Sequence, residues 1–145
     1  MDIKTFFTEI QQKSIQLAIE SAELNTSGEI RVHIDSKCKG DVMKVATKVF
    51  EKLGMHNTEL RNGVLFYLAV EDKKFAILGD KGINDKVPDG FWDLAYSSMR
   101  KCFSEANYTE GLQIGIGMAG EKLRTCFPYQ SDDRNELSNE ISYGE

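Results

Sequence analysis

The sequence predicts an α/β protein, a three-layer α/β/α sandwich around a small mixed sheet of three to four strands. Three observations carry this. Glu29–Asp35 alternates strictly, with Ile30, Val32 and Ile34 on one face. Val64–Val70 is an unbroken apolar run rich in β-branched and aromatic residues. The first pattern is a half-buried strand, and the second is a strand covered on both faces. Stretches between and around them repeat apolar residues at three- and four-residue steps, the period of an amphipathic helix.

In chain order, Ile3, Phe6, Phe7, Ile10, Leu17, Ala18 and Ala22 predict a helix over Ile3–Leu24, capped by Asp2 and ended by Asn25-Thr26-Ser27-Gly28. The strand Glu29–Asp35 follows, with His33 on its polar face as a half-exposed residue. Cys38 falls in a loop between Lys37 and Lys39 and reads as a surface cysteine. Asp41–Gly54 carries the stripe Val42, Val45, Ala46, Val49, Phe50 and Leu53, a second helix. Strand, helix and the strand at Val64 make a βαβ unit, whose crossover is right-handed if the strands are parallel. Glu71-Asp72-Lys73-Lys74 is a break of hairpin length, and Phe75–Leu78 is the return strand. A third helix starts at Asp89 or Gly90, with Phe91, Trp92, Leu94, Ala95, Met99, Cys102 and Phe103 on its buried side and Phe91 and Trp92 as core anchors. A fourth is capped by Thr109 and runs through Leu112, Ile116, Ala119 and Leu123. Its glycines at 111, 115, 117 and 120 each cost about 1 kcal/mol relative to Ala, which implies close packing against another element.

The 145 residues fit one domain, residues 1–128, followed by an acidic tail, 129–145, predicted to be disordered. Five acids and one base place −4 of the chain's net −5 in that tail. The folded part is nearly neutral, with no basic face for nucleic acid. Three cysteines without CxxC spacing exclude a disulfide framework and a zinc knuckle, and suit a reducing compartment. The start MDIKTFFTEIQQKS lacks a basic n-region followed by an apolar block, and no run approaches the ~18 apolar residues of a membrane span. A cytoplasmic protein is the expectation. Two histidines, neither in a motif, offer poor material for a Ser-His-Asp or Cys-His system.

The chemistry-bearing stretch is the loop Asp80–Asp89. Three carboxylates and an amide (Asp80, Asn84, Asp85 and Asp89) lie on a backbone bent by Gly82 and Pro88. Such a set suits a hard, oxygen-preferring divalent cation. Calcium accepts six to eight oxygens in irregular geometry, whereas magnesium demands a stricter octahedron. The twelve-residue EF-hand scheme fails here. Counting from Asp80, the required Gly is Asp85 and the bidentate Glu is Phe91. A site must therefore borrow ligands, and Asp35, at a strand's carboxyl end, is the candidate. The same aspartates are also good turn formers and helix caps.

Three segments together resemble the TPM domain: Ser27-Gly28-Glu29-Ile30-Arg31-Val32, Arg61–Ala69 (RNGVLFYLA), and Lys74–Ile83 (KFAILGDKGI). That domain is shared by a plant thylakoid-lumen repair protein, a nematode receptor-modulating protein and many bacterial proteins. The likeness covers about Thr26 to Leu123. It implies an α/β/α sandwich, a divalent-cation site with calcium as the family's ion, and, as an alternative, the weak acid-phosphatase activity claimed for the plant member. Where the family often has Thr-Asp after the glycines, this chain has Asn84-Asp85, which keeps the carboxylate. Many bacterial members add a signal peptide and a membrane-spanning tail. Neither is seen here, so the expectation is a stand-alone soluble bacterial module of accessory or regulatory role. Its partners would be a divalent metal ion and an unidentified protein.

Overall fold

The computed structural model describes residues 2–129 and 138–144. β1 (Glu29–Asp35) and β2 (Gly63–Ala69) run parallel in register, Glu29 opposite Gly63 and Asp35 opposite Ala69. α2 (Val42–Lys52) makes the crossover between them. β3 (Lys74–Gly79) returns antiparallel to β2, Val64 opposite Gly79 and Ala69 opposite Lys74. A short β4 (Ser142–Tyr143) joins the outer edge of β1 in parallel, giving the order β3-β2-β1-β4. The sheet is mixed and open, as the two strand patterns and the hairpin predict.

Strand parity assigns each face its cover. Even-numbered residues of β1 and β2 (Ile30, Val32, Ile34, Val64, Phe66 and Leu68) face the main core with Phe75 and Ile77. That core is closed by α1 (Glu9–Glu23), α4 (Phe91–Ser104) and α5 (Tyr108–Cys126). Odd-numbered Leu65, Tyr67 and Ala69 face a second cluster under α2, with Ala46, Phe50 and Met55. All seven residues of β2 are buried, which is why its sequence does not alternate. Among the described residues no helix is long and apolar enough to cross a membrane.

Several expectations are corrected. The first helix is split into a 3₁₀ turn at Ile3–Thr5 and α1 from Glu9. Thr8 makes a capping box with Gln11, which stops the helix extending backwards. The loop after β3 contains a one-turn helix, α3 (Lys81–Asn84). α5 begins at Tyr108, before the expected cap at Thr109. Cys38 is buried beneath α2 and is not a surface cysteine. The tail expected to be disordered contributes β4 and a buried Ile141, so that expectation does not hold for 138–144. Residues 130–137 lie outside those described.

Candidate functional site

The loop after β3 is built from Asp80. Its backbone N–H donates to Gly63 O (2.9 Å), and its carboxylate caps α3 by accepting from the Lys81 N–H (2.7 Å). Arg61 grips the same carboxylate with two prongs, Nε to Oδ2 at 2.7 Å and Nη2 to Oδ1 at 2.9 Å. Asp80 is only 6% exposed, so this charge is taken from water only because it is paired. Arg61 adopts a left-handed backbone, φ 52°, and its carbonyl accepts from the Gly82 N–H at 2.8 Å. A Cβ at Gly82 would collide with the carbonyl oxygens of Leu60 and Arg61. The glycine of the GDKGI stretch thus serves close approach of two backbones.

Asn84 is engaged at both ends. Its Nδ2 donates to Gly79 O and its Oδ1 accepts from Trp92 Nε1, each at 2.8 Å. Asp85 ends α3 and is exposed, as are Asp89 and Asp93. These three carboxylates have no hydrogen-bond or ion-pair partner among the described residues. Asp89 and Asp93 line an open recess of about 240 Å³ with Asn84, Pro88, Gly90 and Trp92. No group of three or more His, Cys, Asp or Glu side chains among the described residues is close enough to form a ready-made metal cluster.

Asp35 does not join this loop. It lies level with Ala69, whereas Asp80 follows Gly79, which pairs with Val64 at the other end of the sheet. Six strand steps of ~3.3 Å put them about 20 Å apart. Asp35 instead belongs to a polar chain on the odd-numbered face of β1. Tyr67 donates its O–H to Asp35 Oδ2 (2.6 Å), and His33 Nε2 lies 3.1 Å from Oδ1. His33 Nδ1 meets Ser142 Oγ of β4 at 2.8 Å, and the His33 and Tyr67 rings are stacked. Burial works to raise the Asp35 pKa. The hydrogen bonds from His33 and Tyr67, with the attraction of His33 and Lys52, outweigh it and hold the carboxyl below its usual value. His33 is buried, 6% exposed, because the chain at 142–144 covers it. A Cβ at Gly144 would overlap Asp35 Oδ1.

Two features escaped the sequence reading. Tyr67 sits among apolar neighbours, and only the register with β1 places it beside Asp35. Glu23, at the end of α1, accepts from the Ile30 N–H at 2.8 Å. Burial pushes its pKa up to about 7, against the lowering effect of that hydrogen bond, with Glu29 and Glu20 adding to the rise. Its place in the helical period gave no sign of this.

The model of the TPM domain covers residues 1–122, and the chain belongs to that family. Among solved structures, the chain is similar to the BA42 protein of the psychrophilic bacterium Bizionia argentinensis, at 50% identity over 99% of both chains, TM-score 0.90. It shares its fold with the N-terminal domain of a P. gingivalis protein, at 18% identity over 87% of this chain and 83% of that one, TM-score 0.71. It also shares the fold of the N-terminal domain of the cg2496 protein of Corynebacterium glutamicum, at 16% identity over 92% and 84%, TM-score 0.67. No curated protein matches the chain.

Proposed function

We propose that this TPM-domain chain binds a divalent cation, calcium in preference to magnesium, in an accessory or regulatory role. Of the ligand set expected from the sequence, Asp89 is retained and Asp93 is added from the same recess, which Asp85 does not line. Asp80 and Asn84 are spent on internal bonds, and Asp35 is at the far end of the sheet. The observation that carries the reading is the recess at Asn84–Asp93, where unpartnered carboxylates stand on an open, Pro- and Gly-bent backbone. With so few carboxylates, water and backbone carbonyls must complete the shell. Calcium tolerates that and magnesium does so poorly. Affinity should then be weak, in the range of about 10⁻⁴–10⁻³ M found for calcium modules with few charged ligands.

Titration with calcium, followed by backbone amide shifts, tests this. Saturable shifts are expected over 85–93, with the amides near Asp35 unmoved. The double variant Asp89→Asn, Asp93→Asn should abolish them. An absence of saturable shifts up to about 20 mM, or shifts centred on Asp35, would overturn the proposal.

A further inference from the structure

At the β2–β3 turn end of the sheet, on the face closed by α4 and α5, aromatic rings form a continuous chain. Tyr96 lies flat on Phe75, with centroids 4.1 Å apart and planes within 7°. Phe103 meets Phe75 edge-on at 4.7 Å, and Tyr108 follows Phe103 at 5.3 Å. These four rings and Leu68 line a recess of about 190 Å³. Two cations, Lys73 and Arg100, and Ser104 complete the lining, and no carboxylate does.

The cations are placed by local structure. Lys73 holds the left-handed position of the hairpin turn, φ 53°. Arg100 stands one helical turn after Tyr96 on α4, so the two share a helix face. Both are exposed, and neither has a hydrogen-bond or ion-pair partner among the described residues. A recess that is apolar and aromatic inside, with uncompensated positive charge beside it, is complementary to a ring bearing an anion. Rings contribute stacking and edge contacts, and the guanidinium matches a carboxylate with paired donors. The volume is below the roughly 300–1,000 Å³ of pockets for drug-sized ligands, and suits one six-membered ring with a short acid arm.

We propose that this recess is a binding site for a small monocyclic aromatic carboxylate, its ring against the walls formed by Tyr96 and Tyr108 and its carboxylate between Lys73 and Arg100. The site is independent of the cation loop. For a ligand of this size the expected Kd is about 0.1–1 mM.

The probe is phenylacetate, titrated into ¹⁵N-labelled protein and compared with benzyl alcohol, a ring without charge, and acetate, a charge without a ring. Saturable shifts at the amides of Lys73, Phe75, Tyr96 and Arg100 are expected with phenylacetate, and at least about tenfold weaker binding of each control. Arg100→Gln, an exposed substitution, should weaken phenylacetate about fivefold with an unchanged thermal midpoint, and Lys73→Gln should act in the same direction. The proposal is overturned by any of three results: no saturation by about 20 mM phenylacetate, equal binding of benzyl alcohol, or an Arg100→Gln variant that binds as the parent does.

Discussion

Asp35 and Asp80 stand at opposite ends of one sheet and are held by different chemistry. Asp80 meets a full positive charge through two bonds and caps a helix. Asp35 meets a phenol and an imidazole, and is covered by a returning strand. The first is an ion pair at a bend that brings two backbones together. The second is a hydrogen-bonded chain linking β2, β1 and β4. In both, each oxygen is spoken for. An acidic residue in a loop is material for a ligand site only if folding leaves it unspent, as it does Asp85, Asp89 and Asp93.

The sharpest way to break the comparison is at Asp80. Asp80→Ala removes both Arg61 bonds and the α3 cap. Arg61 is about half exposed and regains water readily, so the loss is set by the cap and the buried bonds. A fall in unfolding free energy of about 2–3 kcal/mol in urea denaturation is expected. A change under about 0.5 kcal/mol would show that the pair is incidental.

Tyr67→Phe probes the other end and should cost less, about 1–2 kcal/mol, since it deletes one hydrogen bond to a charged group. It should also move the Asp35 titration. A carboxyl whose folded pKa is depressed contributes stability that is present above its unfolded value and lost as pH falls through the folded one. Without the Tyr67 hydroxyl the folded pKa rises, so that loss is smaller and is complete at a higher pH. Carboxyl ¹³C titration of Asp35 in both proteins reads this, and an unchanged midpoint would remove Tyr67 as the cause.

Much of the fold was legible because burial writes itself into strand parity. Alternation marked β1, and its absence marked β2. The opposite-end placement of Asp35 and Asp80 was also implicit: a hairpin after a strand parallel to β1 must return Asp80 to the end where β1 begins. Other features left no pattern. The break before α1 is hidden because Ile3, Phe6, Phe7 and Ile10 keep a helical period across it, and only the Thr8–Gln11 box marks the restart. α3 is a single turn, too short to show a period. β4 is two residues long in a polar, acidic segment, and its partners lie over a hundred residues earlier.

That last feature has a dynamic consequence. β4 contributes two residue pairs, and its amide from Gly144 donates to Ile34 O at 2.8 Å. With the sheet intact the chain is already anchored where Pro128 bridges to Thr26, so only the contacts of residues 141–144 have to break for this edge to open. The outer edge of β1 should therefore open and close on its own clock while the remaining sheet stays intact. Hydrogen exchange would separate the two motions: the Gly144 amide should exchange through this local opening, far faster than the amide of Phe66 in the central strand. Equal protection at the two positions would mean that the edge and the core come apart only together.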